Sequence, residues 1–351
     1  FRSLSVAILN LAIRKWVEDV YVSNKAYDIL FHQIITSCLA THGADIDEIF
    51  KVLSKVYSFS GIDYMKYIFL IDFMVKEQIL HMDKSRVFLG NRGQEIFGKM
   101  NYMELYSTFE TPAEFTVNHK GRTIGTIEAW FVKALGDRFN FLLGGKCWET
   151  IKIDEKKFIV YVEPSSFADP PKWVSGGKMI SYELSQEYFN IIVGDTDFIF
   201  LNNKEKDILE EFRREQKDLG LEKASIYVEE RNTDFNFYTY LGDKLNYTMG
   251  HSVTLLDDRL SLKGVGWKGF SIKKNKSNIS LNEIKEFVEK LIKSPEFFDL
   301  DIKNQLLEKL PDNSFSKYQK YLPIDLRKKM IYEYLYDFDF SRIRNFKVIG
   351  E

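Results

Sequence analysis

Two glycine–lysine segments, Gly144-Gly145-Lys146-Cys147 and Gly176-Gly177-Lys178-Met179, come nearest in residue type to a phosphate-holding loop. Such a loop needs an earlier spaced glycine, so that backbone N–H groups can wrap the anion, and a Ser or Thr after the lysine to reach Mg²⁺. Both segments lack both features and read as turns. The histidines, among them His32, His42, His81, His119 and His251, form no His-Glu-x-x-His motif or Cys/His cluster. Cys38 and Cys147 stand far apart without metal-ligand spacing. No Gly-x-Ser-x-Gly elbow occurs, and no two carboxylates are set by sequence across a scissile bond. An autonomous enzyme would need a concave pocket with clustered carboxylates or histidines, and nothing in the sequence predicts one.

What remains is recognition. Lys268, Lys273, Lys274 and Lys276 form the densest basic run, with Trp267 and Phe270 nearby. Basic residues interleaved with aromatics suit a groove that tracks a nucleic-acid backbone; a hairpin tip kept soluble by lysines has the same composition. The formal net charge of the chain is -2, whereas a non-specific nucleic-acid binder usually carries a basic excess. Any nucleic-acid role therefore rests on local clusters. The near-neutral charge and an aromatic content of 15% also motivate a second reading, a protein-interaction module docking a partner of a defence or repair complex.

The 351 residues exceed one ordinary core and suit two or three domains. Two cysteines fit a reducing cytosol, and a cytoplasmic location is expected. No apolar run is long enough to span a bilayer, and the start, Phe1-Arg-Ser-Leu-Ser, lacks both an initiator methionine and a signal-peptide layout. Excision from a longer chain is the expectation.

The elements that must position these residues follow from periodicity. Tyr27, Leu30, Phe31, Ile34, Ile35 and Leu39 recur at helical spacing and predict a helix ending near His42-Gly43. Asp45 caps a second helix over 46–56, and a third spans 63–76. Residues 79–82 and 86–89 read as a short hairpin, followed by a helical turn over 94–100. Three helices and a hairpin form the element order of a winged-helix domain, whose third helix and wing are its usual nucleic-acid contacts. The third helix is apolar and carries Asp63, Asp72 and Glu77 beside Lys66 and Lys76, so packing within a larger protein explains it equally.

From Thr108 the period becomes two. Strands around 115–119, 123–127, 140–143, 148–153 and 157–162, separated by glycine turns, predict a small barrel or curled sheet. A helix or edge strand follows Ser181. Residues 204–219 form a charge-rich helix, 224–228 a strand, and 281–293, 302–310, 315–321 and 324–336 helices. The expected fold class is α+β multidomain: a winged-helix-like helical domain at 1–107, a small β-barrel-like domain at 108–200 and a C-terminal α+β domain at 201–351.

From Trp16 to about Gly194 the order of motifs resembles the region following the motor domains in Lhr-type large superfamily 2 helicases. The motifs are Gly121-Arg-Thr-Ile-Gly125, Phe139-Asn-Phe-Leu-Leu-Gly-Gly-Lys-Cys-Trp148, Ile151-Lys-Ile-Asp154, Val160-Tyr-Val-Glu-Pro164 and Pro171-Lys-Trp173-Val-Ser-Gly176. Weaker likeness continues through Tyr238-Thr-Tyr-Leu-Gly242-Asp-Lys-Leu-Asn246-Tyr-Thr248, with Met249 where the family pattern has Leu, and through Tyr321-Leu-Pro323. The resemblance implies a non-catalytic region that grips single-stranded or tailed DNA, while motor domains outside this sequence bind ATP and Mg²⁺ and drive 3′-to-5′ translocation. No cofactor is expected in this chain itself. By the same resemblance Trp173 and Trp148 match tryptophans of the β-domain, one of them exposed to stack on a base. Trp148 lies inside an alternating strand, where burial in the barrel is the simpler expectation. Arg122, Arg138, Lys146, Lys172 and Lys178 are the accompanying phosphate contacts, although any charged loop on a solvated face has the same composition.

Overall fold

A computed structural model describes residues 3–98, 101–108, 114–129, 132, 139–166, 179–294, 297–310 and 315–350. They fall into two compact units, Phe1–Tyr106 with Lys178–Glu351, and Ser107–Gly177.

The first unit opens with α1 (Ser3–Ile13), α2 (Tyr27–Ala40), β1 (Ala44–Asp45), α3 (Ile46–Leu53), α4 (Tyr64–Lys76), β2 (Leu80–Asp83), β3 (Arg86–Leu89) and α5 (Asn91–Phe97). The stripe on α2 buries Leu30, Phe31, Ile34, Ile35 and Cys38 in one core with Tyr67, Leu70, Ile71 and Met74 of α4. The turn after α2 needs a glycine twice over: Gly43 has φ +106°, and a Cβ there would sit 2.1 Å from the Phe88 ring. Asp45 then caps α3, accepting from the backbone N–H of Asp47 (3.0 Å) and Glu48 (3.2 Å). Its other carboxylate oxygen accepts from Ser85 Oγ at 2.6 Å, which ties the helix start to the hairpin tip. The three strands pair in the order β1-β3-β2, all antiparallel. Helices α2, α3 and α4 with this sheet form a winged helix, β1 being the small strand that the sequence did not disclose. Helix α3 ends at Leu53 rather than Val56, because Tyr57–Phe59 turn as a 3₁₀ segment toward the cap of α4.

The second unit holds β4 (Glu114–His119), β5 (Arg122–Glu128), β6 (Asn140–Leu143), β7 (Lys146–Asp154) and β8 (Ile159–Pro164). Their order is β5-β4-β8-β7-β6, with β4 and β8 parallel. Register breaks at Val117/Asn118 and Thr150/Lys152 curl the sheet. The curl brings the edges together, since a Cβ on Gly125 of β5 would lie 3.3 Å from the Leu143 side chain of β6. Phe115, Val117, Phe141, Trp148, Val160 and Val162 fill the interior.

The first unit resumes with α6 (Tyr182–Val193), α7 (Asn203–Asp218), β9 (Ser225–Glu230), β10 (Asp234–Tyr238), α8 (Asp243–Val253), β11 (Ser261–Gly266), β12 (Gly269–Lys273), α9 (Leu281–Lys293), α10 (Leu300–Glu308), α11 (Ile324–Leu335) and β13 (Lys347–Gly350). The sheet order is β11-β12-β10-β9-β13, and β13 runs parallel to β9. Helices α8 and α9 cover one face, where Val228, Phe235, Phe237, Phe270 and Ile272 meet Met249, Val253, Ile284 and Val288.

Two departures from the sequence expectation concern boundaries. Residues 179–200, read with the β-domain, belong to the first unit: Tyr188, Phe189 and Ile192 of α6 bury against Val6 and Ala7 of α1 and against Tyr240. The helical and C-terminal domains also share a core, because Tyr318, Leu322 and Leu326 complete the interior of the winged helix. Phe31 lies 6.3 Å from Tyr318 and 5.6 Å from Tyr321, and Phe97 lies 5.3 Å from Tyr321, as ring centroids. Of the helix expected over 315–321, only the 3₁₀ turn Gln319–Tyr321 forms; it aims two of these rings inward.

Removing such a ring leaves a cavity between two parts of the chain. Tyr318→Ala is expected to lower stability by about 3–5 kcal/mol, read from urea denaturation, whereas the half-exposed Tyr334 gives a smaller loss on the same change. A second expectation comes from His251, buried in α8. With its proton on Nδ1 it donates to Tyr336 Oη (2.6 Å), whose own hydrogen goes to the Leu306 carbonyl (3.2 Å). Burial, with Lys309 adding to it, pushes the imidazole down to about 4. Between that value and the unfolded value near 6.5 the unfolded chain binds more protons. Stability should therefore be fully present above pH 6.5 and fall by on the order of 3 kcal/mol as pH drops to 4. Urea midpoints across that range check it, and His251→Gln should flatten the slope.

Candidate nucleic-acid interface

The winged helix presents its third helix, α4, outward. The solvent-facing residues are Met65 (76% exposed), Phe69 (46%) and Tyr64, with Asp72 beside them. Lys66 is held by Asp63, the residue that caps the same helix. Arg86 of the wing donates to the Gly43 carbonyl at 2.8 Å and lies over the Phe88 ring. This helix face is therefore apolar and weakly charged. A cleft of about 780 Å³ opens between the end of α2 and β3, lined by Leu39, His42, Phe88, Tyr102 and Tyr106.

In the β-unit, Gly144 (φ 60°) and Gly145 (φ 73°) are the two left-handed residues of the β6–β7 hairpin, with Leu143 paired to Lys146. No helix follows, so the segment is a turn, and it holds Lys146 at an exposed tip. Arg122 is likewise exposed, just after the Lys120–Gly121 turn that Asn118 closes by accepting from Gly121 N–H at 2.9 Å. Among the described residues neither cation is ion-paired. Trp148 is buried, at 5% exposure, and its indole N–H donates to the Leu143 carbonyl at 3.0 Å. Its assignment as a base-stacking residue is corrected here: the ring belongs to the barrel interior, as alternation along β7 requires. Lys172, Trp173, Lys178 and Arg138 lie outside the described residues.

In the C-terminal sheet the basic run does not form one cluster. Lys268 stands at the β11–β12 turn, while Lys273 lies at the far end of β12, about 17 Å away along an extended strand. Lys268 is exposed, with its ammonium 5.1 Å from the Trp267 ring centre and 5.2 Å from that of Tyr188. Lys274 is corrected from a phosphate contact to a structural residue. Its side chain is 14% exposed, bonds Glu230 at 2.5 Å and covers the Phe235 ring at 4.4 Å. Lys273 and Lys276 are exposed. Phe270 is buried beneath the sheet against Phe237.

The sheet face opposite the helices carries a trough of about 720 Å³ that the sequence did not single out. Strand register sets Glu229, Asn236, Ser271 and Gly264 in one row across it, and Tyr227, Tyr238, Gly269 and Gly266 in the next. Ser271 Oγ donates to Asn236 Oδ1 (2.7 Å), and Tyr238 Oη donates to Glu229 (3.1 Å). Arg231 bonds Glu229 at 3.0 Å; this contact first, then those of Tyr238 and Asn236, holds the carboxyl below its ordinary range. The alternation of polar residues with Phe235, Phe237 and Phe270 was the available signal, but pairing across four strands is invisible in one dimension.

Among the described residues no group of His, Cys, Asp or Glu is arranged to hold a metal ion, and no helix is long and apolar enough to cross a membrane. Residues 12–169 match the family model of the large helicase-related protein winged helix domain. Over that span the chain is similar to the winged-helix region of large helicase-related proteins. Similar curated proteins are the ATP-dependent helicases Lhr-Core of Saccharolobus solfataricus, 22% identical over 69% of this chain and 27% of that protein, and of Sulfolobus acidocaldarius, 22% identical over 48% of this chain and 20% of that protein. The chain thus aligns with about a quarter or less of their length. In fold it is similar to the Mycobacterium smegmatis helicase Lhr, solved bound to ssDNA and AMP-PNP. That likeness has a TM-score of 0.52 and 11% identity, and covers 99% of this chain and 49% of that one. The Lhr-type C-terminal likeness and the α+β multidomain class therefore stand.

The distinction between structural and solvent-facing candidates is measurable. Trp148→Phe should lower stability by about 2 kcal/mol, since it deletes buried ring volume and removes the indole hydrogen bond to the Leu143 carbonyl. Lys274→Ala should cost about 1 kcal/mol through lost packing on Phe235, while Lys268→Ala stays within about 0.5 kcal/mol. Thermal unfolding of the three variants separates them.

Proposed function

We propose that this chain is the nucleic-acid-gripping accessory region of an Lhr-like, ATP-dependent DNA helicase. It holds single-stranded or tailed DNA while motor domains elsewhere in the parent protein bind ATP and Mg²⁺ and drive 3′-to-5′ movement. The observation that carries this reading is a winged helix followed in the chain by a curled five-stranded β-unit, within a span that matches the Lhr-type family model. Arg122 and Lys146 on that β-unit, neither of them ion-paired among the described residues, support it as phosphate contacts that carry no sequence information. Lys172, Lys178, Arg138 and the Trp173 stacking residue complete the proposed set in the same region of sequence, with Lys268, Lys273 and Lys276 on the C-terminal domain. In this role the chain needs no cofactor of its own and works in the cytoplasm.

A second reading has its own observation. The exposed Tyr64, Met65 and Phe69 on α4 suit contact with protein better than with phosphates. Docking of a partner from a defence or repair complex is the alternative.

Equilibrium binding to single-stranded, blunt duplex and 3′-tailed DNA across a salt series tests the two. The expected result is preference for single-stranded or tailed DNA, with affinity falling steeply as salt rises. Arg122→Ala and Lys146→Ala should each reduce the log–log salt slope by about 0.7, the value for one phosphate contact on a single strand. Absence of binding at low salt would remove the gripping role and leave the protein-docking reading.

A further inference from the structure

The trough on the C-terminal sheet is bare for a specific reason. Three of its backbone positions, Gly264, Gly266 and Gly269, carry no side chain, so peptide planes of β11 and β12 face solvent directly. At Gly269 the glycine is obligatory, with φ +159° and a Cβ that would fall 1.8 Å from the Phe237 carbonyl. At Gly264 and Gly266 nothing stands within 4 Å of a built Cβ, so packing does not demand glycine there. Glycine in a strand interior weakens it and marks a place where another group approaches the backbone. The two positions lie on the same face as Asn236 and Ser271, because Gly264 pairs with Ser271 and Ser271 with Asn236.

The surroundings of the bare floor define what approaches. One wall is aromatic, from Tyr238 and Trp267. The polar row is only partly satisfied from within: Asn236 Nδ2 has a single long contact to Glu229, at 3.4 Å, which leaves amide hydrogen-bonding capacity, and Ser271 retains its oxygen lone pairs. Two cations stand at the rim. Arg231 contacts Glu229 through Nε, lies beside the Tyr238 hydroxyl and is 59% exposed to solvent; Lys268 is solvated above Trp267. A flat ring with a hydrogen-bonding edge and an attached anion fits that combination, and an unpaired nucleotide has all three.

We propose that this trough is a nucleotide-binding site for single-stranded nucleic acid. The base lies on the glycine floor against Tyr238, its edge meets Asn236 and Ser271, and a flanking phosphate meets Lys268 or Arg231. The inference deepens the strand-gripping reading by giving it a site on the C-terminal domain, separate in sequence from the winged helix and β-unit.

The test uses the full chain and a 12-nucleotide DNA strand carrying one 4-thiothymidine, with a 4-thiouridine RNA strand of the same sequence as a second arm. Photo-crosslinks are mapped by mass spectrometry, and affinity is measured in parallel. The expected crosslink falls on Tyr238 or Trp267. Gly264→Leu fills the trough from an open position; it should abolish that crosslink and weaken binding about tenfold, with the melting temperature unchanged. Ser271→Ala, a smaller change, should weaken binding in the same direction. The ratio of DNA to RNA affinity identifies the preferred strand. Crosslinks confined to residues before 178, or unchanged binding by a folded Gly264→Leu protein, would overturn the trough while leaving strand gripping intact. Absence of crosslinking and binding by the unsubstituted chain would overturn both.

Discussion

Four aromatic rings hold the larger unit together: Phe31 and Phe97 from the winged helix, and Tyr318 and Tyr321 from a segment about 220 residues further along the chain. The winged helix on its own has a short sheet and a small core, and a domain of that size buries too little of its surface to be more than marginally stable. Tyr318, Leu322 and Leu326 supply the missing interior. The consequence is that the winged helix and the C-terminal α+β domain are one folding unit. Whatever α4 and the wing touch, they do so from a base fixed to the C-terminal sheet rather than from a freely tethered module.

The β-unit obeys a different constraint. Among the described residues its core draws on its own segments, Val132 and Phe139 as well as the strands and Trp148, and two register breaks curl the sheet. That leaves its turns free to carry charge at low structural cost. The Gly144–Gly145 hairpin shows how: both residues take left-handed conformations that a side chain disfavours, and the cation after them is lifted to an exposed tip. Cations on the C-terminal domain divide between two uses. Lys274 is consumed by packing and an ion pair, whereas Lys268 and Arg231 border an open floor. Local environment, not net charge, decides which basic residues can meet a phosphate.

The exposed apolar face of α4 and the polar, glycine-floored trough differ in chemistry, and so do the partners proposed for them, protein for the first and an unpaired nucleotide for the second. Both can operate in a chain that aligns with only part of its longer relatives. The winged-helix fold does not by itself choose between them, since function resides in the surface residues the fold displays.

Strong local patterns were legible in the sequence alone. The α2 stripe, the cap at Asp45, the wing hairpin, the five β-unit strands and the α9 helix all follow from periodicity and cap chemistry, and the motif order from Gly121 to Gly176 carried the family likeness. Periodicity also foretold the burial of Trp148. Helix α8 escaped, because Asn246, Thr248, Gly250, Ser252 and Val253 are poor helix formers. Tertiary contact overrides them: α8 lies on the sheet, and Gly250 is needed where Leu262 and Phe270 press against it. Three things only the tertiary structure decided, namely the return of β13 beside β9, the core shared between Phe31 and Tyr318, and the alignment of Gly264, Ser271, Asn236 and Glu229 across four strands. Each joins residues far apart in the chain, and local sequence preference carries no information about which distant segments will pair.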